Sequence, residues 1–166
     1  MERTCYEKPY IAFTQHFCCV LIAQFNERGN LPEGVHRATW KEVCARFGTN
    51  QHRQELLFGL NLALFFLKKV GCKGVYLDGS FVTSKEFPKD VDCLWDPMGV
   101  NLVILDPAFR CDPPGRNRQK LVFRGDYFPS SFTESVSGLS FLDFFQIDKE
   151  TGDQKGIVQI NLEDYQ

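Results

Sequence analysis

Charge of one sign, paired-cysteine motifs and long hydrophobic runs are all scarce in this sequence. Its 19 Lys and Arg nearly balance its 21 Asp and Glu, leaving a formal net charge of -2. Such a surface exerts no global pull on nucleic acid, so a nucleic-acid partner would have to be recruited by a local patch. The seven cysteines are odd in number and nowhere spaced Cys-x-x-Cys. They read as buried thiols of a reducing cytoplasm rather than as a disulfide framework or a zinc site. The longest helix-like apolar run, Leu56 to Leu67, is interrupted by Gly59 and Asn61 and is too short to span a bilayer. No basic segment with a cleavage site opens the chain, so a cytoplasmic protein without a membrane partner is expected. Internal repeats and low-complexity tracts are missing too.

What is present is a chain of 166 residues, 43% apolar and with sixteen Phe. That suits one domain spanning 1–166 that buries about two-thirds of its unfolded surface, with residues 1–24 as an irregular or variable N-terminal segment. Within that segment, Cys18 to Phe25 is an apolar run that fits a buried strand or a helical turn equally. Gly29, Pro32 and Gly34 then predict a loop holding His36, a residue expected to be hydrogen-bonded and structural. Thr39-Trp40-Lys41-Glu42 has the form of a capping box, opening a short helix that Gly48 stops. Asn50 caps a second helix, Gln51 to Val70, with apolar residues at 56, 60, 63, 67 and 70 and Gly71 beyond its end. Its wide stripe is core packing, which lays the helix across a sheet.

Val75-Tyr76-Leu77-Asp78-Gly79-Ser80, followed nine residues later by Asp90-Val91-Asp92, carries the chemistry. It reads as a strand, a turn able to hold an anion, and a second strand. Side chains alternate along a strand, so Asp90 and Asp92 share a face while Val91 and Cys93 point into the core. Two carboxylates so placed repel unless a cation sits between them, and a hard divalent cation held by carboxylates and substrate phosphates is the usual occupant. Gly79 permits close backbone approach, and Ser80 offers an N–H and a hydroxyl to phosphate. Together these residues suit a metal-bound nucleoside triphosphate. Lys85, with Thr83 and Ser84 in the same connection, is the expected charged contact to that triphosphate.

Further on, Val100 to Leu105 is compatible with a strand or a helix start. Asp106 to Lys120 holds three prolines, a glycine and four basic residues, a basic loop that is either solvated or a holder of phosphate. Leu121 to Phe128 alternates as a strand. Phe141 to Ile147 and Gly156 to Leu162, around the turn Asp148 to Asp153, predict a β-hairpin. The resulting class is α+β: a mixed or mostly antiparallel sheet of about five strands packed against helices.

The Gly79-Ser80, nine-residue spacer, Asp90-x-Asp92 arrangement resembles the signature of the DNA polymerase beta-like nucleotidyltransferase superfamily. Phe25 to His36, Ala38-Thr39-Trp40, Arg46-Phe47-Gly48, Gly79 to Lys85, Phe144-Phe145-Gln146 and Lys155 to Val158 are similar to a family of small bacterial proteins within it. The resemblance covers most of residues 25 to 162 and departs from the superfamily pattern at Asp78, where an apolar residue is usual. It implies a minimal nucleotidyltransferase fold. It also implies transfer of a nucleoside monophosphate from a triphosphate to an RNA, protein or small-molecule acceptor with Mg2+ or Mn2+ as cofactor. A third carboxylate on a strand beside Asp90 and Asp92 would complete the metal site. Asp126 is the best match by position and Asp106 the reserve. A toxin-antitoxin or phage-defence setting with a cognate partner protein follows from the same resemblance. A non-catalytic nucleotide- or partner-binding domain and a metal-dependent phosphohydrolase are the rival classes.

Overall fold

A computed structural model describes residues 22–109 and 113–166. Most of the expected N-terminal segment, including residues 18–21 of its apolar run, lies outside the described residues; from Ile22 to Phe25 the chain is irregular. Five strands form a mixed sheet: β1 (Gly34–Ala38), β2 (Gly74–Asp78), β3 (Val91–Trp95), β4 (Gly125–Pro129) and β5 (Gly156–Asn161). Their order is β1-β5-β2-β3-β4. The two outer pairs, β1/β5 and β3/β4, are parallel, and the two inner pairs, β2/β5 and β2/β3, are antiparallel. This is the expected α+β class, with the sheet evenly mixed. Among the described residues no helix is long and apolar enough to cross a membrane.

Local chemistry explains both main helices. In α1 (Trp40–Phe47) the Glu42 N–H donates to the Thr39 hydroxyl at 3.3 Å and the Thr39 N–H donates to the Glu42 carboxylate at 2.7 Å, closing the capping box. In α2 (Gln51–Lys69) the Asn50 side chain accepts from the Arg53 N–H at 2.8 Å, and Gly71 leaves the helix at φ +95°. Leu56, Leu60, Ala63, Leu64 and Leu67 on α2 bury against Val75, Leu77, Val91, Cys93, Val158 and Ile160 on one sheet face. The opposite face is free to carry polar residues.

Four expectations are corrected. His36 lies in β1 and not in a loop, because Gly34 at φ +112° turns the chain so that Val35 to Ala38 run along β5. Its ring N–H donates to the Pro32 carbonyl at 2.7 Å, the structural role expected of it. Val100 to Leu105 forms neither strand nor helix, and Leu102, Val103 and Ile104 are exposed. The basic stretch after Asp106 is largely helical, with a 3-10 turn at Pro107–Phe109, α3 (Pro113–Arg118) and a π-helical turn at Gln119–Phe123. The strand expected from Leu121 is therefore only β4, begun after Arg124 leaves the helical turn at φ +56°. The buried Gln119 amide then bonds both the Tyr127 N–H and the Tyr127 carbonyl at 3.0 Å, pairing with the outer edge of β4 as another strand would.

The fourth correction concerns the C-terminal hairpin. Phe141 to Phe145 is a short helix, α4, capped by Ser140, and β5 pairs with β1 and β2 instead. Aromatic packing decides this, since helical spacing brings Phe141 and Phe145 onto Phe128 of β4, with ring centroids at 5.1 and 5.9 Å. Only the bridge between Ile147 and Gln154 remains of the expected pairing.

One buried side chain ties α2 to the connection after β2. The Arg53 guanidinium donates to the carbonyls of Phe47 (3.2 Å), Phe81 (2.9 Å), Thr83 (3.0 Å) and Lys85 (2.6 Å). No other donor inside could satisfy so many divergent carbonyls at once, which is the use of a five-donor planar group. Replacing Arg53 with Met should therefore cost about 2–5 kcal/mol, the scale of several buried carbonyls left unpaired. Urea unfolding of the two proteins measures it, and a loss below about 1 kcal/mol would show that water replaces the guanidinium.

Candidate functional site

The strand register brings three carboxylates abreast. Asp78 of β2 is paired with Asp92 of β3, and Asp92 with Asp126 of β4. Directly paired residues project from the same face with Cβ atoms roughly 5 Å apart, so the three form a row across β2, β3 and β4, at the end of β2 and the starts of β3 and β4. Asp90, two residues before Asp92, adds a fourth on the same face. Asp78 and Asp126 are buried. Like charges this close must be compensated or protonated.

Lysines compensate most of the row. Lys155 Nζ lies 2.5 Å from Asp78 Oδ1. Lys120 Nζ lies 2.9 Å from Asp126 Oδ2 and 3.3 Å from Asp90 Oδ2, so one ammonium joins two carboxylates. Those contacts push the Lys120 pKa up, first through the hydrogen bond to Asp126. Arg116 comes within 3.5 Å of Asp126 Oδ1 without hydrogen-bonding it, and that buried oxygen has no donor. Asp92 is the uncompensated member: among the described residues no cation or hydrogen-bond donor reaches its carboxylate. Burial, then the charges of Asp90, Asp78 and Asp126, push its pKa up to about 6, against a weaker pull from Lys149. Burial also raises the Asp78 pKa, against the pull of Lys155.

Gly79 is required beside this row. A Cβ there would stand 1.9 Å from Asp92 Oδ2, and its φ of +71° disfavours any side chain. From Gly79 to Val82 the chain makes a 3-10 turn whose start faces a cleft of about 260 Å³. Asp78, Gly79, Ser80, Thr83 and Asp92 form its floor. Lys149 and Lys155 line it together with the acidic Asp148 and Glu150, and Phe145 and Ile147 add apolar surface. The structure thus brings together Gly79, Ser80, Asp90, Asp92 and Asp126, the last being the third carboxylate that the resemblance offered. Lys85 is not among them: its side chain is exposed and outside the cleft lining, and only its backbone is engaged, by Arg53 and Thr83. Asp106 pairs with Arg118 at 3.4 Å and caps the turn at Ala108, apart from the row.

Sequence reasoning missed Lys149, Lys155 and Lys120. Lys155 was legible in part, because it directly precedes the apolar strand that could pair with β2. Lys120 was hidden by reading its stretch as loop and strand, which gives no reason for it to return to Asp90.

The oxygen-only donor set of Asp90, Asp92 and Asp126 is of the kind Mg2+ or Mn2+ takes. The uncompensated Asp92 and the orphaned Asp126 oxygen fit such a cation as well. Among the described residues no three ligand-type side chains converge on one point as they stand, and Lys120 bridges Asp90 and Asp126. A cation bound there would need the carboxylates to draw together and Lys120 to leave them, which its flexible stem allows.

Compared with known proteins, residues 23–161 match the model of DUF6932, a family of unknown function. No curated protein and no solved structure matches the chain.

Asp92 makes a pH-dependent prediction. A carboxyl whose folded pKa is raised stabilises the fold fully only below its unfolded pKa, near 3.9, and loses that contribution as pH rises through about 6. Asp92→Asn should then be more stable than the parent at pH 7.5 by on the order of 1–3 kcal/mol, with the difference gone near pH 4. Melting both proteins across this range without divalent cations checks it; a constant difference would mean that burial and the neighbouring carboxylates do not raise the Asp92 pKa.

Proposed function

The chain belongs to the DUF6932 family, and from its carboxylate row and Gly-Ser cleft we propose that it is a metal-dependent nucleotidyltransferase of the DNA polymerase beta-like kind. The observation carrying this is the register that sets Asp126 beside Asp92, next to the cleft opened by Gly79 and Ser80. Asp90, Asp92 and Asp126 would hold Mg2+ or Mn2+, which when bound supplies charge neutralisation to the phosphates and lowers the pKa of the acceptor oxygen. Gly79 and Ser80 position the triphosphate through backbone N–H groups and a hydroxyl. Lys149 screens its charge, and Phe145 and Ile147 offer an apolar wall to the nucleoside. The acceptor oxygen forms its bond to the α phosphorus as the bond to the bridging oxygen breaks. Diphosphate leaves with the electron pair, and the acceptor's proton passes to water.

Asp78 departs from the superfamily pattern but is neutralised within the protein by Lys155, so it adds no free charge to the cleft. A second reading, a nucleotide- or partner-binding domain without catalysis, is favoured by Lys120, which already serves Asp90 and Asp126 as a cation. A toxin-antitoxin or phage-defence module with a cognate partner protein rests on the resemblance alone, and a cytoplasmic setting on the scattered cysteines.

A triphosphate labelled at the α phosphorus, incubated with Mg2+, separates the readings. Label passing to a macromolecule, with Asp92→Asn reduced to background, is expected; label bound but never transferred would establish the binding domain, and release of inorganic phosphate a hydrolase. The lysines give a further expectation. Lys149→Ala should weaken triphosphate binding by about 1–3 kcal/mol, the scale of a charge-assisted contact, while Lys85→Ala leaves it nearly unchanged. Calorimetry on the two variants decides which lysine meets the phosphates, and a loss confined to Lys85→Ala would reverse the assignment.

A further inference from the structure

Two parts of the chain that are distant in sequence line the cleft beside Gly79 and Ser80. One is the end of β2 with the turn after it and Asp92 of β3; the other runs from Phe145 to Lys155, between α4 and β5. Lys155 ties the second part to the first through Asp78. Lys149, the other lysine of the cleft, is exposed and has no ion pair among the described residues, yet its charge pulls the pKa values of Asp92 and Asp78 downward. What holds Lys149 near those carboxylates is therefore the turn in which it sits.

Asp148 organises that turn. Its Oδ1 accepts the N–H groups of Glu150 at 2.8 Å and Thr151 at 3.3 Å, and its Oδ2 accepts the side-chain amide of Asn30 at 2.7 Å. The residue directly before Lys149 is thus held from outside the turn. Asn30 ends a short loop whose form Asn26 sets: the Asn26 side-chain oxygen accepts the N–H groups of Arg28 and Asn30, both at 3.0 Å, and the Asn26 N–H donates to the Asn30 carbonyl at 2.8 Å. The same loop is fastened to the segment after Ser80. The Ser84 N–H donates to the Gly29 carbonyl at 2.9 Å, and a Cβ on Gly29 would stand 2.0 Å from Ser84 Oγ, so glycine is what lets the two chains touch. Residues 26–30 therefore bridge the two parts of the cleft. Arg28 adds an ion pair to Asp153, but both partners are more than half exposed, where such pairs return little. The half-buried bond from Asn30 to the Asp148 carboxylate is the stronger tie.

We infer that Asn30 is a positioning residue of the triphosphate site, its bond to Asp148 bracing the turn that presents Lys149 to the phosphates; the inference rests on the nucleotidyltransferase reading above. A lysine whose backbone is already in place loses less freedom on meeting a phosphate, and affinity rises accordingly. Asn30 also lines the cleft, so direct contact with the nucleotide is the rival role. The two roles separate cleanly, because only the positioning role depends on Lys149.

The test is calorimetric titration of the full chain with ATP, GTP, CTP and UTP in turn, each with Mg2+, continued with whichever binds most tightly. Asn30→Leu keeps the side-chain volume and removes the hydrogen bond without adding charge. It should weaken binding about tenfold in the parent protein and less than about twofold in a Lys149→Ala background, the coupling expected of residues that act as one unit. Exchanging the pair, Asn30→Asp with Asp148→Asn, keeps the net charge. The new amide at position 148 then donates to the new carboxylate at position 30 while its oxygen still accepts the two turn N–H groups, so binding should return to within about threefold of the parent. Equal weakening by Asn30→Leu with and without Lys149 would overturn the inference in favour of direct contact. Unchanged affinity in Asn30→Leu would overturn it by showing that the turn holds Lys149 unaided, as would an exchanged pair that binds no better than Asn30→Leu. A parent protein that binds none of the four triphosphates overturns the nucleotidyltransferase reading itself and takes the inference with it, an outcome distinct from tight binding that ignores Asn30.

Discussion

Repulsion within one row of carboxylates is the constraint to which the polar face of this protein answers. Backbone pairing sets Asp78, Asp92 and Asp126 on neighbouring strands at the spacing of a sheet, and no side-chain adjustment can move them far apart. Each is met differently. Asp78 is buried with Lys155, Asp126 shares Lys120 with Asp90 and has Arg116 nearby, and Asp92 is left to its raised pKa. A pair such as Asp78 and Lys155 returns little net stability, because desolvation offsets most of the attraction, yet losing one partner would strand a buried charge. On the proposed reading, a bound cation would relieve the repulsion that falls on Asp92. A protein with no use for the row would be more stable with apolar residues in at least two of its positions.

The rest of the fold serves to hold that row still. Apolar residues of α2 cover the far side of the sheet, and Arg53 fastens the segment after Gly79 by four carbonyls. The segment from Pro113 to Arg124 returns the chain to β4 and delivers Arg116, Lys120 and Arg124 to the row from one direction. Its π-helical turn and left-handed Arg124 are irregular backbone among the described residues, and they lie where Lys120 meets the carboxylates. Irregular backbone in such a place is more often imposed by a site than left over from folding.

Both long helices were legible in the sequence because their signals are local. A capping box at Thr39 and Glu42, a cap at Asn50, and a glycine after each end operate within a few residues of where they are written. The β2-turn-β3 unit was legible for the same reason, and with it Gly79, Ser80, Asp90 and Asp92. β1 and α4 were misread where a distant partner decides the outcome. Val35 to Ala38 is extended because β5 lies beside it, and Phe141 to Phe145 coils because Phe128 offers a ring to pack against.

By itself, then, the sequence determined the α+β class, the helices at 40–47 and 51–69, and a Gly-Ser turn leading to two carboxylates on one strand face. Periodicity, caps and turn residues act over a few bonds, and their physics needs no other part of the chain. Only the tertiary structure decided that Asp126 and not Asp106 joins those carboxylates, that Lys149 and Lys155 face the cleft in place of Lys85, and that Lys120 stands between Asp90 and Asp126. Those facts depend on strand register and on where a helical segment returns to the sheet. Both are set by packing between residues far apart in the chain, for which a single sequence carries no local signal.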